Sequence, residues 1–446
     1  MLEKGLGLED LREIYFMRHL ATFLMFSVGV AAFLLLATRM LGDWRLGVLG
    51  AVLFVLTPRI FAHAFYNSKD IPFMAMFVVC MYTLLLYMDI PRWWTALLHG
   101  LCCAVLVDIR IMGVLVPAMT LGFFVYVLFG KRAERRTVGL AALNFGVFCA
   151  AFVPSTILLW PTLWSDPAGN FIGAFQAMSK FAWRATVLFR GEEVWSTELP
   201  PHYTAVWIAI TLPVMYVILG AAGLFVAIVR LAGKDVGVSM RRRNALLLLL
   251  WLVVPLAFLI LSNAVLYDTW RHTFFVYPAI LMLVLIALRW RLGFSHFWIP
   301  GLRISVCALA LIAVLAVNMA ATLSFMIRSH PHQNVHFNGL VGGISGAAGK
   351  YEMDYWGLSY RALLESLVAI DSRGAITIHA LNEPGYYNSF ILSPDERSRL
   401  DYTDQPAAAD YYVTNHRWER LDPPEEAKIT SVEVSGVSLS TAYRVR

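Results

Sequence analysis

Two short polar clusters interrupt a chain that is otherwise strongly apolar: Asn67-Ser68-Lys69-Asp70 and Tyr267-Asp268-Thr269-Trp270-Arg271-His272. Ionisable groups at a membrane boundary are costly and tend to mark a site. Arg271 can give two parallel hydrogen bonds to a phosphate, and Lys69 offers a compact point charge. Tyr267 and His272 add further donors. Asp70 and Asp268 can orient these cations, and Asp70 is the nearest candidate for a base. The chemistry on offer is recognition of an anion beside a carboxylate that takes a proton. The competing reading is that Lys69–Asp70 and Asp268–Arg271 are interfacial pairs that only snorkel out of the bilayer.

The elements that must position these clusters are membrane spans. Of 446 residues, 59% are hydrophobic and 15% charged, with mean hydropathy +0.64. Soluble domains carry about 25% charged residues, so this is an integral membrane protein. Windows of about 20 apolar residues predict about ten spans: 19–38, 46–65, 71–88, 94–109, 111–129, 139–161, 204–229, 245–266, 272–288 and 303–327. Several of the 14 tryptophans, such as Trp160, Trp164, Trp290 and Trp298, fall at span ends, as in an interfacial belt. The net charge of +6 comes from a few short loops, which is a topology signal and argues against nucleic acid as a partner.

Lys and Arg in short loops face the cytoplasm. Lys131, Arg132, Arg135 and Arg136 form one such loop, Arg230, Lys234 and Arg241–Arg243 a second, and Arg289, Arg291 and Arg303 a third. Alternation puts them on one side together with Arg39, Arg45 and Arg92. Both polar clusters, the 162–203 loop and everything after Ile327 then lie outside, giving a multi-pass inner-membrane protein with an extracytoplasmic C-terminal domain. Residues 1–18 fall outside as well, so a further span before Met1 is expected. The predicted organisation is a membrane domain over 1–329, with outer loop 162–203, and a small α/β domain over 330–446. In the latter, Tyr360–Ile370 reads as an amphipathic helix, Ala375–Leu381 and Tyr411–Asn415 as strands, and Val432–Arg446 as a strand pair. The fold class is thus an all-α polytopic membrane protein with a small C-terminal α/β extramembrane domain.

Other residues admit two readings. Arg110, near the outer face, either reaches phosphate or pairs with Asp108. His63 and His99 lie in apolar spans, where a lone histidine usually bonds a neighbouring helix. The 162–203 loop, with a helix expected near Phe171–Phe181, either caps a pocket or lies on the membrane as a linker. His330, His332 and His336 lack a spacing that fixes a fourth ligand, so no metal is assigned. Asp354-Tyr355-Trp356-Gly357 offers an aromatic face for a sugar or docks the C-terminal domain. The five cysteines (Cys80, Cys102, Cys103, Cys149, Cys307) sit in apolar spans without a metal or disulfide pattern.

Seven segments together resemble bacterial membrane glycosyltransferases of the C-type fold, in the family-39-like group of protein O-mannosyltransferases and aminoarabinose transferases. They are Arg18-His19-Leu20, Pro58–Phe73, Arg110-Ile111-Met112-Gly113, Trp160–Pro167, Leu188–Glu193, Leu266–Pro278 and His330–Tyr360. The resemblance implies inverting transfer of a sugar, hexosyl or mannosyl in type, from a polyprenyl-phosphate donor to a hydroxyl or amine of a glycan, lipid or protein at the outer face. No cofactor is implied. On this reading Lys69, Arg271, His272, Tyr267 and Arg110 bind the donor phosphate, supported by Asn67 and Asp268. The resemblance also implies an acidic catalytic residue in the first outer loop. On this reading the chain starts inside that loop, and Glu9, Asp10 and Glu13 are the acidic residues nearest the membrane re-entry. Two other classes fit the same features: a flippase of lipid-linked sugars, and a non-catalytic sugar-lipid binding subunit.

Overall fold

A computed structural model describes residues 2–129, 135–179, 183–233, 241–293, 306–418, 423 and 425–445. Lys131, Arg132, Lys180, Lys234, Trp298 and Arg303 lie outside the described residues. Among the described residues, eight helices are long and apolar enough to cross a membrane, and a bent pair makes a ninth. The shorter apolar helix Trp93–Ile109 corresponds to the 94–109 window. Many outward-facing side chains on these helices are large and apolar, such as Leu143, Val317 and Ile327, as a lipid-facing surface requires.

The helix Leu11–Leu41 starts on Asp10, whose carboxylate accepts the Arg12 N–H at 3.0 Å, and ends on Gly42 with φ 68°. Its 31 residues rise about 46 Å at 1.5 Å per residue, well beyond a hydrocarbon core of about 30 Å. The excess projects toward the C-terminal domain, where Asp10 meets Arg397 at 3.4 Å. Gly29 lets this helix approach Asp70–Asp89: a Cβ there would stand 2.7 Å from the Ala75 Cβ.

Two windows read as single spans are broken in the structure. The 46–65 window is a pair, Trp44–Val55 and Pro58–Tyr66, bent by 70°. Pro58 disfavours helical backbone at Thr57 and cannot donate, so carbonyls near the break lose partners. Tyr216 restores them, donating to Leu53 O at 3.1 Å and Leu56 O at 3.3 Å. The 204–229 window is Tyr203–Thr211 followed by Val214–Leu231, broken at Pro213. Its freed carbonyls are taken by the segment after the last membrane helix. Asn338 Nδ2 donates to Ala209 O and Leu212 O, both at 2.6 Å, and His336 Nδ1 lies 3.1 Å from Thr211 O. The 245–266 helix stops at Leu261, and the 272–288 span opens with a 3-10 segment, Arg271–Val276, before Tyr277–Gly293.

The 162–203 region contains a helix, Pro167–Ser179, and a hairpin of β1 (Thr186–Phe189) and β2 (Glu192–Trp195). Beyond the last membrane helix, Val306–Arg328, the helix Ser359–Ile370 packs on a five-stranded sheet. Its strands are β3 (Ile376–Ala380), β4 (Leu400–Tyr402), β5 (Tyr411–Thr414), β6 (Lys428–Val434) and β7 (Val437–Arg444), in the order β4-β3-β5-β7-β6. β3 runs parallel to β4 and β5, and β7 runs antiparallel to β5 and β6. Tyr360, Leu363, Leu364 and Leu367 face Ile376, Ile378 and Val413 in a core of their own.

Candidate functional site

The two polar clusters meet. Asp70 opens the helix Asp70–Asp89, and the Asn67 side chain folds over that start, accepting the Asp70 N–H at 2.9 Å. Asn67 Nδ2 in turn donates to Asp70 Oδ2 at 2.8 Å. From the other cluster, Arg271 Nη1 reaches the same Oδ2 at 3.1 Å, while Arg110 pairs with Oδ1. The pairing of Arg110 with Asp108 is therefore replaced by a contact with Asp70. Asp268 and Thr269 both have left-handed backbone, φ 54° and 68°. That conformation is uncommon for a β-branched residue, and such strain concentrates at functional sites. Through this turn Asp268 Oδ2 accepts from Arg271 Nε and Nη2 at 3.2 and 3.0 Å.

The array continues into the C-terminal domain through residues that the sequence patterns did not single out. Arg417, just beyond β5, donates to Asp268 Oδ1 at 2.7 Å and to Tyr355 O at 3.0 Å. The same guanidinium pairs with Glu352 at 2.9 Å. A line of alternating charge thus runs Arg110–Asp70–Arg271–Asp268–Arg417–Glu352, with three cations and three carboxylates. Asp70, Asp268 and Glu352 are 2%, 5% and 5% exposed, so the alternation is what makes their burial tolerable.

Aromatic rings enclose the line. The Arg271 guanidinium lies 4.9 Å from the Tyr267 ring and 5.4 Å from that of Trp356. Trp356 Nε1 also donates to Asp268 at 3.2 Å. Trp183 of the 162–203 region stacks on Tyr267 at 4.2 Å, and Tyr267 meets His272 edge-on at 4.7 Å. His272 is half-buried, and its enclosed Nδ1 has no hydrogen-bond partner among the described residues. Lys69 is exposed, and its ammonium makes no ion pair among the described residues.

His63 Nδ1 lies 3.1 Å from Asn67 Nδ2, and its Nε2 lies 2.8 Å from the Tyr355 hydroxyl. His99 bridges neighbouring helices through Thr83 and Thr120, both at 2.8 Å. His330 bonds Gln333 at 3.0 Å, and burial pushes the His336 imidazole down to about 4. Asp354 caps the helix start at Ser359, accepting that N–H at 2.8 Å. Together with the Trp356 and Tyr355 bonds, this makes the Asp354–Gly357 stretch a seam between the C-terminal residues and the membrane helices. Arg59, which no spacing argument flagged, is fully buried over the rings of Phe337 and Trp207, at 5.2 and 5.7 Å.

Beside the Arg417 end lies a cavity of about 250 Å³, walled by the β1–β2 hairpin, the 348–355 segment and the residues after β5. The hairpin is held there by Trp418 Nε1 donating to Thr186 O at 2.8 Å and by Gly191 N donating to Lys350 O at 2.9 Å. Glu352 lines this cavity, and among the described residues neither of its oxygens has an aligned hydrogen bond despite the ion pair with Arg417. Burial pushes its carboxyl up to about 7, against the pull of Arg417.

No protein-family profile matches the chain, and no curated protein matches it. Among solved structures it is similar to ArnT from Cupriavidus metallidurans bound to undecaprenyl phosphate, at 12% identity and TM-score 0.46, covering 95% of this chain and 83% of that one. The apo state of the same ArnT gives 13% identity and TM-score 0.45 over 96% and 83%. An oligosaccharyltransferase from Archaeoglobus fulgidus, in complex with zinc and sulfate, gives 12% and 0.41, and the chain spans 56% of its length while 90% of this chain is covered.

Proposed function

We propose that the chain is a membrane glycosyltransferase that moves a sugar from a polyprenyl-phosphate donor to an acceptor hydroxyl or amine at the pole bearing Asp70, Arg271 and the C-terminal domain. The observation that carries this reading is the charge line ending on Glu352 in a cavity. The line joins Arg110 and Arg271, through Asp268 and Arg417, to a carboxyl that can exchange a proton near neutrality, which supports a division of labour between phosphate binding and proton transfer. Glu352 takes the proton of the acceptor as the acceptor oxygen or nitrogen bonds the anomeric carbon. The carbon–oxygen bond to phosphate breaks, and the phosphate leaves with the electron pair. Arg271, Arg110 and Lys69 offset the charge that develops on it, with Tyr267 and His272 as neutral donors. Arg271 is held in place by Asp70 and Asp268 and needs no reorganisation when the lipid arrives.

Asp70, the base candidate in the sequence, has a different part in this proposal. Its Oδ2 serves Asn67 and Arg271 and its Oδ1 faces Arg110, so both oxygens are engaged by neighbours rather than open to an acceptor. These contacts support a positioning role for Asp70. The side bearing this pole is extracytoplasmic if the arginine-rich pole is cytoplasmic, as the loop charges suggest. The hexosyl or mannosyl type of the sugar rests on the motif resemblance alone. Transfer from a radiolabelled polyprenyl-phosphate hexose to water or a model acceptor by the full chain tests the reading. Activity in the wild type that falls at least a hundredfold in Arg271→Met supports it, and full activity in a folded Arg271→Met protein rejects the site.

A further inference from the structure

His63 sits in the last turn of the short helix Pro58–Tyr66 and is fully buried, yet the proposed transfer makes no use of it. Its hydrogen bonds have a direction that a neighbouring amide fixes. Asn67 Oδ1 accepts the Asp70 N–H at 2.9 Å, so the amide nitrogen is the end turned to Asp70 Oδ2 at 2.8 Å and to His63 Nδ1 at 3.1 Å. An amide nitrogen only donates, so His63 Nδ1 accepts and the ring proton is on Nε2. Nε2 then donates to the Tyr355 hydroxyl at 2.8 Å. The reverse direction would put a proton on Nδ1, facing the amide hydrogens of Asn67. Tyr66, Phe274 and Trp356 hold the imidazole in place, with ring centroids 4.9, 5.0 and 5.4 Å away.

Tyr355 is gripped at its other end as well. Its carbonyl accepts from Arg417 Nη1 at 3.0 Å, while Arg417 Nη2 reaches Asp268 Oδ1 at 2.7 Å and Glu352 at 2.9 Å. An uncharged route therefore runs from Asp70 through Asn67, His63 and Tyr355 to Arg417. It joins the same two ends as the charged route through Arg271 and Asp268, and the two routes close a ring. Arginine has large rotamer freedom, and anchoring its guanidinium from both routes removes more of that freedom than one route does.

We infer that His63 is a positioning residue for the transfer: it sets the Tyr355 ring from the membrane helices, and through the Tyr355 carbonyl it holds Arg417 on Glu352. The inference rests on Glu352 being the base of the proposed reaction. Transfer by the purified full chain, followed against pH in wild type, His63→Phe, Tyr355→Phe and His63→Gln, tests it. His63→Phe removes both hydrogen bonds and keeps a ring beside Phe274 and Trp356. Tyr355→Phe removes only the hydroxyl that His63 serves. His63→Gln supplies an acceptor for Asn67 and a donor for Tyr355, and so serves as the rescue. Arg417, Asp268 and Arg271 act on Glu352, Tyr203 faces it, and Glu193, Asp354 and His416 share its cavity; all are intact in these variants. A loosened Arg417 favours the Glu352 carboxylate less, so both Phe variants should raise the pH midpoint of transfer by about half a unit or more. Near neutrality kcat should fall about tenfold in each, with donor KM unchanged because Arg271 keeps Asp70 and Asp268. His63→Gln should recover most of both, and the double Phe variant should be no worse than either single one. A midpoint that stays at the wild-type value in the folded Phe variants would overturn the inference and leave Glu352 as the base; if His63→Phe does not fold, Tyr355→Phe decides. A wild-type profile that persists in Glu352→Gln would overturn the proposed base, and the inference with it.

Discussion

Asp268 is the joint through which the membrane helices hold the C-terminal domain, and a double-mutant cycle with Arg417 measures that joint. Asp268 accepts four hydrogen bonds, three from cations and one from Trp356. Removing one partner of a buried ion pair costs about 3–5 kcal/mol because the other charge is left uncompensated. In Asp268→Asn, Arg417 keeps Glu352 and Tyr355 O, and one amide oxygen still accepts, so the lower end of about 3 kcal/mol is expected. In Arg417→Met, Asp268 keeps Arg271 and Trp356, and a similar loss of about 3 kcal/mol follows. A hydrogen bond to a charged group contributes about 1.5–3 kcal/mol, and both single variants lose the same Arg417–Asp268 bond. The double variant should therefore cost about 3–4.5 kcal/mol rather than the additive sum of about 6. Unfolding in mixed micelles, followed by the fluorescence of tryptophans that include Trp356 and Trp418 at this seam, gives the four stabilities. Additivity within about 0.5 kcal/mol would show that the two side chains do not meet, and the charge line would fail as a physical object.

Further outcomes follow from the same contacts. Glu352→Gln should lower transfer by about 10²–10⁴-fold, the usual worth of a positioned base, and wild-type transfer should rise with pH through about 7 as the carboxyl loses its proton. The sign for stability is the reverse. Between the ordinary value of 4.5 and about 7 the folded protein keeps a proton that the unfolded chain has lost, so stability falls as pH rises across that window. At about 1.4 kcal/mol per pH unit this is about 3 kcal/mol, and melting curves at pH 5 and 7.5 should show a drop in wild type that Glu352→Gln lacks. Asn338→Ala should destabilise by about 1–3 kcal/mol, measured in the same micelle unfolding, because it strands the Ala209 and Leu212 carbonyls at a helix break away from water.

The membrane helices were legible because bilayer thickness imposes a length that apolar windows report directly. The meeting of Asp70 with Arg271 was foreshadowed by charge parity alone, since clusters placed at the same boundary have few other partners. The break at Pro213 had a local signal, the proline itself, yet its repair by Asn338 depends on a segment more than a hundred residues away. Glu352 and Arg417 carried no comparable signal. They lie where charged residues are ordinary, and only folding buries them and points them at Asp268. The short strand Leu400–Tyr402 was invisible for a related reason, as its three residues become a strand only by pairing with Ile376–Ile378. In contrast, Ser359–Ile370, Ile376–Ala380 and Tyr411–Thr414 follow patterns of period 3.6 or 2 and fall within a residue of the expected bounds.

The most direct test of the central claim is where a polyprenyl phosphate binds. A structure of the full chain with undecaprenyl phosphate should place the phosphate within hydrogen-bonding reach of Arg271 or Lys69, on the Asp70 side of the membrane helices. A phosphate found only among Arg39, Arg241 and Arg289 at the opposite pole would contradict it.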